Sequence, residues 1–189
     1  MLKGKTVVLG VTGCIAAYKA CEIVSSLKKK GATVIVIMTP HSTEFVQPLS
    51  FETLSGNRVI TDLFDRDFDF EVEHVALAKR ADVFVVAPAT ANTIGKIANG
   101  IADDMLTTTI MACKAPKIIC PAMNTNMYEN ENTTENIARL KKQGYKIIEP
   151  ISGRLACGDV GKGKMAEPET IVKAIEDILT PNKDFEGVR

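Results

Sequence analysis

Histidine is scarce in this chain of 189 residues, and none of the five cysteines (14, 21, 113, 120 and 157) is spaced as Cys-x-x-Cys. Two histidines and scattered thiols leave little material for a structural zinc site. Charge of one sign is also lacking, because 23 basic and 23 acidic residues cancel. No field therefore invites a nucleic acid or an anionic membrane. No apolar run approaches the ~20 residues of a membrane span. The opening Met1-Leu-Lys-Gly-Lys5 lacks the apolar core and cleavage site of a signal peptide. These features predict a cytosolic chain with neither nucleic-acid nor membrane partners. In a reducing compartment most of the thiols are expected to be buried apolar filler.

What is present is a βα alternation. Apolar residues make up 46% of the chain, and its length suits one α/β domain. Thr6-Val-Val-Leu-Gly10 is an apolar run without alternation, as in a parallel strand covered on both faces. From 15 to 30 the period is helical, with Ile15, Ala16, Ala20, Ile23, Val24 and Leu27 on one face and Gly31 placed to end the helix. Residues 33–38 form a second strand pattern. Strand patterns at 82–87, 117–120 and 146–149 then alternate with helical ones at 91–112, 133–143 and 168–179. The segment 40–73 reads as a helix plus irregular structure, and 150–166 as irregular. The fold predicted is a three-layer, doubly wound parallel sheet of flavodoxin-like or Rossmann-like type.

In such sheets ligands collect beyond the carboxyl ends of the strands. The segments in that position are Gly10-Val-Thr-Gly-Cys-Ile15, Thr39-Pro-His-Ser42, Pro88-Ala-Thr-Ala-Asn-Thr93 and Pro121-Ala-Met-Asn124. They are rich in hydroxyls, amides and small residues and poor in charge, and are expected to share one rim. The first is a tight turn or a nest of backbone N–H groups that holds one phosphate. Its spacing is not the Gly-x-Gly-x-x-Gly of dinucleotide folds. Thr39 and Ser42 can donate to the same phosphate or cap the next helix. Thr90, Asn92 and Thr93 suit a neutral heterocycle with amide-like edges, and Asn92 or Thr93 can also cap a helix. Met123 and Met127 fit a core-facing helical stripe, but Asn124 and Asn126 need polar partners, for which a carboxylate would serve. His74, beside Glu71 and Glu73 just before a helix, is either structural or an acid–base group. Cys157, among Gly153, Gly158, Gly161 and Gly163, sits on a surface loop or on a segment able to close over a ligand.

Together these motifs resemble the homo-oligomeric flavin-containing cysteine decarboxylases over about residues 4–180. The resemblance rests on Gly10-x-Thr-Gly-x-Ile-Ala-Ala-Tyr-Lys19, on Ala87-Pro-Ala-Thr-Ala-Asn-Thr93 with Gly95-Lys-Ile-Ala98 and Ala102-Asp-Asp104, and on Pro121-Ala-Met-Asn-x-x-Met127. His74 and Ala156-Cys-Gly-Asp-x-Gly-x-Gly-Lys-Met165 complete it. Tyr128 stands where the family usually has tryptophan. The branch most similar acts on 4′-phosphopantothenoylcysteine in coenzyme A biosynthesis.

The resemblance implies FMN held by Gly13, Cys14, Ile15, Thr39, Ser42, Phe45, Ala89, Thr90, Asn92 and Thr93. It implies substrate contacts at Asn124, Met127, Ala156, Gly158 and Lys164. His74 would act in substrate oxidation, Asn124 on the substrate carboxylate, and Cys157 as the acid that completes reduction to 4′-phosphopantetheine. It also implies a homotrimer, or a dodecamer of trimers, with flavin between protomers. A non-catalytic flavoprotein that serves as a regulatory subunit is the other function compatible with the fold. Residues 1–180 are expected to form the flavin-binding decarboxylase domain. Residues 181–189 are either a tail or the start of a second domain, since Phe185-Glu-Gly-Val-Arg189 echoes Leu2-Lys-Gly-Lys-Thr6 before the first strand. In many relatives a ligase domain follows there.

Overall fold

A computed structural model describes residues 1–64, 73–154, 158 and 160–180. The chain begins with β1 (Thr6–Val11), α1 (Ala17–Lys29) and β2 (Thr33–Met38). A 3-10 segment (Pro40–Glu44) and α2 (Pro48–Ser55) follow, each opened by a proline whose missing N–H would have been unpaired anyway. Next come α3 (Glu73–Arg80), β3 (Val83–Ala89), α4 (Ala91–Ala98), α5 (Met105–Ala112) and β4 (Lys117–Pro121). The remainder is α6 (Thr125–Glu129), α7 (Glu131–Lys142), β5 (Lys146–Ile147), β6 (Ile151–Arg154), β7 (Val160–Lys164) and α8 (Pro168–Leu179).

Five parallel strands pair in the order β2-β1-β3-β4-β5. The strands read as unbroken apolar runs because both faces are covered. Alternate residues feed two separate cores. Val7, Leu9, Val11, Val34 and Val36 pack with Ile23 of α1, Phe51 of α2 and Ile171 of α8. Val8, Ile35, Phe84, Val86 and Ile119 pack with Leu77 of α3, Ile94 of α4, Leu106 of α5 and Leu140 of α7. Each such side chain contributes roughly 1.5–3 kcal/mol on burial. Gly10 is required in β1, since a Cβ there would lie 2.6 Å from Leu106 Cδ1. The three-layer, doubly wound sheet predicted above is the architecture found. Its order is that of the flavodoxin-like folds, with the switch point between β1 and β3.

Four local expectations are corrected. The helical stretch at 91–112 is two helices, because Gly100 turns the chain at φ 70° and Asp104 with Thr107 forms a capping box that starts α5 anew. Ile15 precedes α1 and is 55% exposed, so it is no part of the core face. The last parallel strand pairs only at Lys146–Ile147. Within 150–166, residues 151–154 and 160–164 are strands and not irregular. They form the antiparallel pair β6–β7, from Ile151↔Lys164 to Arg154↔Val160, with a register shift at Gly163. Its glycines hide it from any propensity-based reading. Two of them are needed by their neighbours, since a Cβ at Gly161 would strike Thr125 Oγ1 and one at Gly163 would strike the Met123 carbonyl.

Among the described residues no helix is long and apolar enough to cross a membrane.

Candidate functional site

The loops after β1, β2 and β3, together with α6 beyond β4, surround an open cleft of about 420 Å³ at the switch point. Its lining includes Gly13, Thr39, Thr90, Asn92, Thr93 and Met127, which brings together residues chosen from four separate strand ends. Gly13 permits this approach, since a Cβ there would stand 2.7 Å from His41 Cβ. One buried hydroxyl ties the first loop to the third. Thr12 Oγ1 donates to the Pro88 carbonyl at 2.7 Å and accepts from the Thr90 N–H at 3.1 Å. Thr90, rather than Asn92 or Thr93, caps α4: its hydroxyl accepts from the Thr93 N–H at 3.2 Å.

Helix starts around the rim differ in a useful way. α4, α5 and α6 are capped by the side chains of Thr90, Asp104 and Asn124. The start of α1, beside Gly13, has no side-chain cap and no acid in its first turn. An uncapped, unopposed helix N-terminus is suited to an anion.

The rim is not as poor in charge as the loops suggested. Lys96 enters the cleft from α4 and binds Asp103 at 2.8 and 3.0 Å, with Asp104 at 3.8 Å. The Lys96 ammonium bonded to it holds the Asp103 carboxyl below its ordinary range. His41 also lines the cleft. Lys96, Asp103 and Asp104 belong to the motif segments Gly95-Lys-Ile-Ala98 and Ala102-Asp-Asp104, but spacing alone gives them no role at the rim. The Gly100 turn and the Asp104-x-x-Thr107 box were the signals available.

Other residues lie elsewhere. Ser42 is fully buried with its hydroxyl donating to the Thr39 carbonyl, and Ala89 is core at the end of β3. Phe45 and Ile15 are exposed and are not among the residues that line this cleft. Cys14 packs against the first core cluster, and burial pushes its thiol pKa up. Cys113 and Cys120 are buried as filler, while Cys21 is half-buried. Met123 and Met127 do not share a stripe: the first packs on the second core, and the second is half-exposed at the cleft. His74 lies in the first turn of α3, half-buried, and does not line the cleft.

Asn124 ends the loop after β4, where its side-chain oxygen accepts from the Asn126 N–H at 2.8 Å. β7 lies over this loop, with the Gly163 carbonyl accepting from the Met123 N–H at 3.0 Å. Lys164 at the end of β7 pairs with Glu167 at 3.4 Å, and Gly158 adopts φ 93°. Ala156 and Cys157 lie outside the described residues.

A 2-1-3-4-5 sheet whose switch-point cleft offers hydroxyls, an amide and an uncapped helix start defines a flavodoxin-like nucleotide-binding protein. Comparison narrows this, for the flavoprotein family matches residues 1–180, and the chain belongs to that family. Among curated relatives, the coenzyme A biosynthesis bifunctional protein CoaBC of Bacillus subtilis is 52% identical over 93% of this chain and 43% of its own length. The chain thus spans about half the length of the bifunctional relatives it matches. A probable phosphopantothenoylcysteine decarboxylase of Streptococcus mutans is 47% identical over 93% of this chain and 99% of its own. Among solved structures, a PPC decarboxylase mutant complexed with pantothenoylaminoethenethiol superposes with a TM-score of 0.80, at 35% identity, over 91% of this chain and 96% of that one. The FMN-dependent cysteine decarboxylase SpaF gives a TM-score of 0.81 at 30% identity, over 94% and 99%.

Proposed function

We propose that this chain is an FMN-dependent decarboxylase that converts 4′-phosphopantothenoylcysteine to 4′-phosphopantetheine and carbon dioxide in coenzyme A biosynthesis. The observation that carries this is the cleft itself, which offers hydroxyls and an amide at the start of α4 and no side-chain cap at the start of α1, in a chain aligned over 93% of its length with a probable decarboxylase of that name.

The residues present fit FMN. The N–H groups around Gly13 and the start of α1, with the Thr39 hydroxyl, would hold its single phosphate. Thr90, Asn92 and Thr93 would meet the polar edge of the ring. When bound, the flavin supplies two-electron oxidation of the thiol-bearing carbon, which gives the departing carboxylate an electron sink, and later returns the electrons. The protein binds, orients and moves protons. Asn124 presents its amide to the substrate carboxylate from the rigid end of β4. His74 takes a proton during oxidation, and Cys157 delivers one during reduction. No external nicotinamide is needed, since product and substrate differ only by loss of carbon dioxide.

The flavin lies between protomers of a homotrimer. Ile15, Tyr18 and Phe45 expose apolar surface on the segments that follow β1 and β2, and His74 lies off the lining of its own chain's cleft. A neighbouring subunit would supply both the missing wall and the imidazole.

The test is to incubate the FMN-loaded protein with 4′-phosphopantothenoylcysteine and follow both products. Equimolar carbon dioxide and 4′-phosphopantetheine are expected. Flavin binding without either product would instead leave a regulatory flavoprotein.

A further inference from the structure

Away from the cleft, one carboxylate gathers three donors from three different elements. Glu149, just beyond β5, accepts from the Tyr128 hydroxyl of α6, from Lys141 Nζ of α7 at 2.7 Å and from Lys162 Nζ of β7 at 3.2 Å. The Lys162 ammonium also lies 5.3 Å from the centroid of the Tyr128 ring, within range of attraction to its π face. Single exposed ion pairs contribute little, but several donors on one carboxylate act as a network.

What this network encloses is the Asn124 turn. The Tyr128 N–H donates to the Asn124 carbonyl at 3.0 Å, so one turn of α6 links Asn124 to Tyr128, whose hydroxyl reaches Glu149. From the other side, Gly163 accepts from Met123, and Gly161 packs on Thr125. Lys162 lies between these two glycines. The residues before and after Asn124 are therefore held by β7, and its helix is held by Tyr128. Both attachments end on the same carboxylate.

We infer that Tyr128, Glu149 and Lys162 form a positioning network that aims the Asn124 amide at the substrate carboxylate. Glu149 is thus a positioning residue for substrate and not for flavin. This rests on the function proposed above, in which Asn124 receives that carboxylate. Met127 is the one residue of the 121–128 segment that lines the flavin cleft, so flavin affinity is set elsewhere.

The experiment compares E149Q, Y128F, K162M and K162R with the parent protein, all FMN-loaded. It measures KM and kcat for 4′-phosphopantothenoylcysteine, and calorimetric binding of the analogue with alanine replacing cysteine, which has the carboxylate but no thiol to oxidise. FMN affinity is measured alongside by flavin fluorescence. E149Q and K162M are expected to raise KM and the analogue Kd about tenfold, the effect of losing one hydrogen bond to a charged group. Saturated kcat and FMN affinity should hold, K162R should restore binding, and the Y128F/E149Q double variant should be no worse than E149Q alone. Unchanged KM and analogue binding in E149Q would overturn the assignment. So would a parallel loss of FMN affinity, the mark of general fastening. If the parent protein itself makes no product, the function proposed above fails, and this inference falls with it.

Discussion

Thr12 and Pro88 are joined across the switch point: a buried hydroxyl from the loop after β1 donates at 2.7 Å to a carbonyl in β3. The same oxygen accepts from Thr90, so one side chain sets the spacing of two cleft walls. Thr12→Val is isosteric but leaves a buried carbonyl and a partly buried N–H unpaired, at a cost of ~1–3 kcal/mol. It should weaken FMN binding by about tenfold or more and lower the melting temperature of the flavin-free protein. Thr12→Ser keeps both bonds and should bind FMN normally. Fluorescence titration of the two variants decides this. Equal affinities would show that the hydroxyl does not hold the cleft.

FMN is the expected flavin, not FAD. Gly13 and the start of α1 offer an uncapped anion site, and the starts of α4, α5 and α6 are already occupied by the side chains of Thr90, Asp104 and Asn124. Mass spectrometry of the cofactor released on denaturation should give FMN alone. FAD in the released fraction would contradict it.

The sheet was legible because strands covered on both faces must be apolar along their buried length, and β1 to β4 are after their first residues. The cleft was legible in outline, since strand ends define where ligands go. What stayed hidden depends on contacts distant in sequence. Nothing near Thr12 announces Pro88, 76 residues away, and nothing near Tyr128 announces Glu149. Ser42, chosen for its hydroxyl, spends it on the Thr39 carbonyl within its own turn, a local competition that spacing does not resolve. β6–β7 escaped notice because glycine, the residue its packing requires, is the residue that argues against a strand.

Replacing His74 by asparagine should leave flavin bound and suppress substrate oxidation. Asn124→Asp should also inactivate: it keeps an oxygen to cap α6 but sets a carboxylate against the substrate's own. Because His74 does not line the cleft of its own chain, mixed trimers of the two inactive variants should regain activity. With random mixing, about one interface in four pairs two intact side chains. Steady-state turnover of the co-refolded mixture measures this. No recovery would place both residues in one subunit's site.

Cys157 lies outside the described residues, and its role rests on the family resemblance. A serine hydroxyl is far less acidic than a thiol of pKa ~8.5. Cys157→Ser should therefore still release carbon dioxide but accumulate the unsaturated enethiol in place of 4′-phosphopantetheine. Cys120→Ser, in the core, should show no such product switch in whatever fraction folds. Mass spectrometry separates the two products by two hydrogens. Normal 4′-phosphopantetheine from the Cys157 variant would make the thiol a bystander.

The Glu149 cluster also predicts an acid response. Bonds from Lys141 first, then from Tyr128 and Lys162, hold the Glu149 carboxyl at about 2. The unfolded value is ~4.3. A carboxyl depressed in the folded state stabilises fully above its unfolded pKa and loses that contribution as pH falls through the folded value. Stability should thus decline between about pH 4.3 and 2, and E149Q should flatten its share of that decline. Denaturant midpoints of both proteins across pH 2–6 test this. Parallel curves would remove Glu149 from the account.

Gly161 and Gly163 alternate along β7 with Val160, Lys162 and Lys164. A slide by two residues keeps every side chain on its own face, so the pleat alone does not forbid it. Here the faces alone do not define the fit. The strand meets the Met123 carbonyl and Thr125 at two points where no Cβ can stand. Sliding β7 by one residue in either direction brings a lysine or valine to these points. Sliding it by two leaves one point matched and sets a side chain against the other. The strand accordingly has a single parking place, specified by two missing side chains, and Lys162 and Lys164 are set beside the Asn124 loop in one frame only.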